Sequence, residues 1–255
     1  MSDTMTERSY LTIALAKGEL AKPVEDYLKS YGIDVVVEER PVTFVQRMGN
    51  VNFRPMRSND VPRYVGGIAE AGIYFEGWEG YGITGQDFTT EYDLNNPKKI
   101  KVIKRLGFGE GDLVLFSTRN TKQLRKGLNR VPIVAVAHKY RGLVDFGAAG
   151  IYLMKNFDEG YRVLPVEDSV EGFVADGTAD IGFGFTSLLR KRRGDTRKTT
   201  LEKNDLVVLE NIMPTEAVVI SKDSPEFNFE EFDRALRDPA GFEINGKTTA
   251  ATQVA

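Results

Sequence analysis

Hydrophobic and polar positions first organise into secondary structure at YLTIALAKGEL, where Leu11, Ile13 and Leu15 alternate with small residues. That pattern reads as a buried strand broken by Gly18. A helix follows from about Ala21 to Tyr31, with Val24, Tyr27, Leu28 and Tyr31 at helical spacing and Gly32 as its stop. IDVVVEE reads as a second strand. This β-turn-α-β grammar is that of a parallel or mixed sheet with helices packed on it.

The same alternation continues. A helix is expected from Asn59 or Asp60, with Asp60 able to cap it and Pro62 in its first turn. YGITGQDF is a short strand running into a glycine turn, and KKIKVIKRLGFG, GDLVLFS and VPIVAVA are further strands. YRGLVDFGAAG reads as a helix stopped at Gly150, YRVLPV as a strand and SVEGFVADG as a short helix. ADIGFGF is a strand whose alternate glycines let something approach its backbone closely. DLVVLENI and TEAVVIS close the strand set, and FEEFDRALRD is the last helix.

Two β-α-β halves result, split near Asn95–Lys99. The expected division is residues 1–95 with about 205–238 as one lobe and 96–204 as the other. The tail 239–255 is expected to be disordered. Clefts between two such lobes are common small-molecule sites.

Composition narrows the chemistry. With 255 residues, no Cys and a single histidine, His138, the chain has no thiol catalysis, no disulfides and no histidine-rich zinc site. No apolar run reaches the ~18 residues of a membrane span. The opening MSDTMTERSY does not read as a secretory signal, so a cytoplasmic location is the simplest expectation. The formal net charge is -3, which argues against a general nucleic-acid coat. Yet seven of the sixteen residues of RKRRGDTRKTTLEKND (190–205) are basic, so this run is a solvated loop, a nucleic-acid patch or a phosphate cradle.

Several stretches in order resemble the ATP phosphoribosyltransferase family of histidine biosynthesis: LTIALAKGEL (11–20), RSNDVPRYV (57–65), GITGQDFTTEY (82–92), LGFGEGDLVL (106–115), AHKYRGLVDF (137–146), SVEGFVADGTAD (169–180) and TTLEKNDLVVLENI (199–212). The resemblance implies an α/β, two-lobed fold of the periplasmic-binding-protein type II kind with a central cleft. It implies transfer of 5-phosphoribosyl from phosphoribosyl pyrophosphate to N1 of ATP, with Mg²⁺ carried by the pyrophosphate. The length resembles the family's short form, whose partner is a separate histidyl-tRNA-synthetase-like subunit; a homo-oligomer is the other expectation.

Such a transfer develops an oxocarbenium ion at ribose C1 and releases pyrophosphate. It needs no protein nucleophile, but oriented N–H groups, cations and carboxylates. By resemblance, Glu171 and Asp180 are the carboxylates that serve the ribose or orient the loop. Lys17, Gly18, Glu19, Arg57, Asp60, Gly85, Asp87, Lys139 and Ser169 are the expected substrate contacts. Aligning on TTL puts Arg197, Lys198, Thr199 and Thr200 at the ribose-phosphate loop, which is otherwise glycine-containing in the family.

Departures are specific. Glu19 stands where the family has Arg, which reverses the local field. Gly184 stands where a second Asp is expected, and Arg141-Gly142 replaces Pro-Asn. About nine extra residues before GITG carry Tyr74, Phe75, Trp78 and Tyr81, which either stack on a flat ring or pack in the core. A lone histidine in place of Thr or Ser, His138, is more often a structural hydrogen-bonder than a catalyst.

The first expectation is therefore a phosphoribosyltransferase acting on ATP or on another heteroaromatic acceptor. The alternative is a non-catalytic small-molecule-binding or regulatory protein of the same fold. Another enzyme using the same cleft is a third reading. Nucleic-acid binding through Arg190–Arg193 ranks last, because the basic run lacks interleaved aromatics.

Overall fold

LTIALA is buried at every position, as a strand covered on both faces must be, and it forms the centre of a sheet. In this computed structural model the described residues are 10–38, 45–70, 73–76, 80–167, 169–186 and 198–243. Along the chain run β1 (Leu11–Ala16), α1 (Ala21–Lys29), β2 (Gln46–Met48), β3 (Val51–Met56), α2 (Asp60–Gly66), β4 (Gly67–Glu70), β5 (Ile73–Glu76) and β6 (Gly80–Gly85). Next come α3 (Gln86–Asn95), β7 (Ile100–Arg105), β8 (Gly111–Ser117), α4 (Thr121–Gly127), β9 (Ile133–Ala137), α5 (Arg141–Asp145), α6 (Ala148–Asn156) and β10 (Arg162–Val166). The remainder is α7 (Val170–Ala175), β11 (Ile181–Thr186), α8 (Thr200–Lys203), β12 (Val207–Thr215), β13 (Ala217–Lys222) and α9 (Phe229–Arg237).

Two units emerge. One comprises Met1–Thr84, Lys98–Arg105 and Val218–Ala255; the other comprises Gly85–Pro97 and Leu106–Ala217. The first sheet has the order β2-β3-β1-β6-β13-β7 and the second β10-β9-β11-β8-β12. Setting aside β2, the two follow one plan. In each, the earliest of three parallel strands lies between the other two, β1 between β3 and β6 and β9 between β10 and β11, and a further strand next to them, β13 or β8, pairs antiparallel with the outermost strand, β7 or β12; β8 is antiparallel to β11 as well. This is the expected α/β class. Because the leading strands are parallel, their carboxyl ends share one edge, where α/β sheets place ligands.

Several expectations change. β7, expected in the second unit, pairs with β13 in the first sheet, and β12, expected in the first, pairs with β8 in the second. Residues 33–38, the described part of IDVVVEE, are not a ladder strand. The Val37 N–H donates to Glu25 Oε1 at 2.8 Å, and Gln46 Nε2 donates to the Asp34 carbonyl at 2.7 Å, so side chains take their backbone groups. The second parallel strand is β3 instead. Gly150 lies inside α6, where a Cβ would come within 2.2 Å of the Val144 carbonyl oxygen; it allows close packing and does not end the helix. α4 is an additional helix beyond the expected set, started by a capping box of Asn120 and Gln123.

The tail is anchored at its start. The Asn50 N–H donates to the Pro239 carbonyl at 2.7 Å, and Asn50 Nδ2 donates to the Phe242 carbonyl at 2.8 Å. Phe242 is buried. Residues 244–255 lie outside the described residues. Among the described residues no helix is long and apolar enough to cross a membrane.

Candidate functional site

In the first unit the carboxyl ends of β3, β1 and β6 are tied by hydrogen bonds. The Lys17 N–H donates to the Met56 carbonyl at 2.9 Å, Ser58 Oγ donates to the Lys17 carbonyl at 3.0 Å, and Thr84 Oγ1 donates to the Ser58 carbonyl at 2.7 Å. Lys17, Gly18 and Glu19 follow β1, while Arg57 and Asp60 follow β3; this edge therefore gathers five of the expected contacts. Gly18, Glu19 and Arg57 are exposed, and Asp60 opens α2. Gly18 has φ +76°, the left-handed region, which accounts for glycine there. Its N–H donates to Glu38 Oε2 at 2.9 Å, so a carboxylate of the chain holds the donor expected to meet substrate.

In the second unit the carboxyl ends of β9 and β10 lead to Lys139 and Ser169. Lys139 is exposed, with Nζ 5.9 Å from the Phe88 ring centroid and 5.3 Å from that of Tyr140. Ser169 is exposed with φ +58°, at the entry to α7, and Glu171 is half-buried in the first turn of that helix. His138 is exposed, its Nε2 3.7 Å from Glu167 Oε1.

Asp87 is not at the surface. It is 4% exposed, and its carboxylate accepts from the Tyr140 hydroxyl at 2.5 Å and from Thr215 Oγ1 at 3.1 Å. Burial pushes its carboxyl above the usual range, and the hydrogen bonds from Tyr140 and Thr215 oppose that rise. Gly85 is buried beside it, and a Cβ there would lie 2.1 Å from Asp87 Oδ1. The expected direct contact of Asp87 and Gly85 with substrate is thus corrected: both belong to an internal network.

Asp180 is corrected as well. It precedes β11 at the amino end of the parallel strands, whereas Glu171 follows their carboxyl ends. Five or six strand residues, ~15–20 Å of extended chain, separate those edges. Asp180 accepts from both Arg130 terminal nitrogens and from the Ile133 N–H at 2.8 Å, which makes it a clasp for the starts of β9 and β11. The expected Glu171–Asp180 pair is not brought together.

At the expected phosphate loop, Lys198 and Thr200 are exposed. Thr199 is committed to a capping box of α8: its N–H donates to Glu202 Oε2 at 2.7 Å, and its hydroxyl oxygen accepts from the Glu202 N–H at 3.3 Å. Arg197 and the basic run 190–196 lie outside the described residues, as do Trp78 and the side chains of Tyr74 and Phe75. Tyr81 is core, edge-on to Phe227 and Phe232. The alternate glycines of β11 admit the chain's own Phe116: a Cβ on Gly182 would fall 2.3 Å from its ring.

Sequence reasoning missed Glu38, Glu91 and Glu202. Glu91 stands one turn after Asp87 on α3 and accepts from the Gly142 N–H at 2.6 Å and the Leu143 N–H at 2.8 Å. Its signal was the i, i+4 acidic spacing in QDFTTE. Among the described residues no group of three or more His, Cys, Asp or Glu could hold a metal ion.

The ATP phosphoribosyltransferase family model matches residues 57–238. The chain belongs to that family. An ATP phosphoribosyltransferase from Lachnoclostridium phytofermentans is 25% identical over 235 residues, which cover 90% of this chain and 95% of the relative. The ATP phosphoribosyl transferase (HisG:HisZ) complex from Thermotoga maritima has a chain of the same fold, with TM-score 0.60 and 21% identity, covering 89% of this chain and 97% of that one. Arg57, Asp60, Lys139, Ser169, Glu171, Lys198 and Thr200 fall within the segment matched to the ATP phosphoribosyltransferase family; Lys17, Gly18 and Glu19 precede it.

Proposed function

We propose that this member of the ATP phosphoribosyltransferase family transfers 5-phosphoribosyl from phosphoribosyl pyrophosphate to a ring nitrogen of ATP, or of another heteroaromatic acceptor. One observation carries the reading. In a chain of this family, Lys17, Arg57 and Asp60 stand at the carboxyl ends of one set of parallel strands, and Lys139, Ser169 and Glu171 at those of another. The cations meet phosphate oxygens, and Glu171 serves the ribose. Departure of pyrophosphate breaks the C1–O bond as the acceptor nitrogen forms the new C1–N bond. Mg²⁺ enters as part of the substrate, on the diphosphate oxygens. Lys198 and Thr200 serve the ribose 5-phosphate by charge and hydroxyl. A separate regulatory subunit, as the HisG:HisZ complex of Thermotoga maritima suggests by pairing two different chains, or a second copy of the chain completes the assembly, which operates in the cytoplasm.

A specific observation favours a second reading, a non-catalytic binding or regulatory protein. At two positions expected to hold substrate, the backbone donors Gly18 N–H and Thr199 N–H are occupied by the chain's own Glu38 and Glu202. Calorimetry with phosphoribosyl pyrophosphate and Mg²⁺, followed by a pyrophosphate-release assay with ATP and a panel of bases, separates the two. Binding with turnover on one acceptor is the expected result. Binding without turnover on any of them points to the regulatory protein, and no binding at all overturns the transferase reading.

A further inference from the structure

Lys139 stands on a short segment that α3 holds at two places. Upstream, β9 ends at Ala137 and fixes the chain in the sheet. Immediately after Lys139, the Tyr140 hydroxyl donates to Asp87 Oδ2 at 2.5 Å, inside the unit. One helical turn along α3, the Glu91 carboxylate takes the Gly142 and Leu143 N–H groups at 2.6 and 2.8 Å. Asp87 and Glu91 are spaced i, i+4, so one face of α3 makes both attachments. Phe88, between them, stacks on Tyr140 with centroids 5.5 Å apart and rings 11° from parallel.

Each attachment has a residue-level requirement. Asp87 folds back because Gly85 has no Cβ in its way. Glu91 reaches the turn because residue 142 is glycine: a Cβ there would meet Glu91 Oε1 at 2.7 Å. Asp87 is in turn held by Thr215, which donates to Oδ1 and accepts the Asp87 N–H, each at 3.1 Å. The outcome is an exposed ammonium on a backbone with little freedom, lying within cation–π reach of two stacked rings.

We propose that Asp87, assisted by Glu91, is a positioning residue for Lys139, fixing through Tyr140 where that ammonium meets a phosphate-bearing substrate. The phosphate part rests on the phosphoribosyl reading; the positioning part does not. A preformed cation loses less freedom on binding than a mobile one, which is how such a clamp gains affinity.

The test has two arms. In the first, lysines are reductively methylated with ¹³C-formaldehyde and the Lys139 signal is assigned by its loss in Lys139→Arg. Ring currents from Phe88 and Tyr140 should set that signal apart from the bulk lysine position in the wild-type chain. Tyr140→Phe and Asp87→Asn should return it toward the bulk; Asp87→Asn is nearly isosteric, and melting curves show that each variant is folded. A wild-type signal already at the bulk position, or one unmoved in both variants, overturns the proposal. In the second arm, unmodified proteins are titrated with phosphoribosyl pyrophosphate and Mg²⁺. Lys139→Met should weaken binding roughly tenfold. Tyr140→Phe should weaken it in the wild-type background and have no further effect in Lys139→Met. Equal losses in both backgrounds overturn the coupling. Absence of binding in the wild type, with the signal still dependent on Asp87, defeats the phosphoribosyl reading and supports the positioning.

Discussion

Arg130 holds Asp180 through both terminal guanidinium nitrogens, Nη1 at 2.6 Å and Nη2 at 3.0 Å, at the amino ends of β9 and β11. The same carboxylate accepts the Ile133 N–H, and the Asp180 carbonyl accepts from Ser117 Oγ at 2.6 Å. The pair joins three strands at the edge of the sheet opposite Lys139 and Ser169. An acid expected in the chemistry is thereby a structural clasp. Asp180→Ala should destabilise the chain by ~1–3 kcal/mol, chiefly by leaving the Ile133 N–H without its partner, and should leave affinity for phosphoribosyl pyrophosphate unchanged. Urea melts and calorimetry on one preparation check both halves. A lost affinity with full stability would return Asp180 to the site.

Asp87 gives a pH prediction with a definite sign. Burial raises its carboxyl above the ordinary value of 3.8. In the window between that value and the raised one, the folded chain keeps a proton that the unfolded chain has released. Stability therefore falls as pH rises through the window. Asp87→Asn, which carries no titrating proton, should flatten that part of the stability curve. Melting temperatures of both proteins across a pH series starting near 3.8 check it; parallel curves would refute it.

The neighbouring residues Lys198 and Thr199 should respond differently. Lys198 is exposed and Thr199 caps α8. Lys198→Ala should weaken affinity for the sugar diphosphate by ~1–3 kcal/mol with little change in melting. Thr199→Ala should cost ~0.5–2 kcal/mol of stability through the lost cap. Thr200→Ala should behave as Lys198→Ala does. If neither Lys198→Ala nor Thr200→Ala changes affinity, the 5-phosphate does not bind there.

Gly182 and Gly184 stand on the same strand and should tolerate alanine unequally. A Cβ on Gly182 would fall 2.3 Å from the ring of Phe116, which is fully buried, and 3.0 Å from Val174. A Cβ on Gly184 meets only Phe116, at 3.7 Å, an ordinary contact. Gly182→Ala should cost ~1–3 kcal/mol, and Gly184→Ala should stay within about 1 kcal/mol of the parent. Chemical denaturation distinguishes them, and equal costs would mean that the strand can shift at Gly182.

The sequence by itself determined the α/β class and most of the strands. Segments such as LTIALA and IVAVA are buried on both faces of a parallel sheet at nearly every position, which demands a near-continuous apolar run that can be read without coordinates. Ordered resemblance to family motifs also singled out Lys17, Arg57 and Lys139, each just past the end of an apolar strand run. The tertiary structure alone decided what the polar groups do. Glu171 and Asp180 are nine residues apart in the chain, yet their spacing does not say that a helix carries the chain from one sheet edge to the other between them. Nor does it say that Glu38 takes the Gly18 N–H or that Glu91 takes Gly142. IDVVVEE has a strand's composition but lost its ladder to the side chains of Glu25 and Gln46. Burial of apolar residues is a property of each residue and leaves its pattern in the chain. A hydrogen-bond partner belongs to a pair, often distant in sequence, and exists only once the chain has folded.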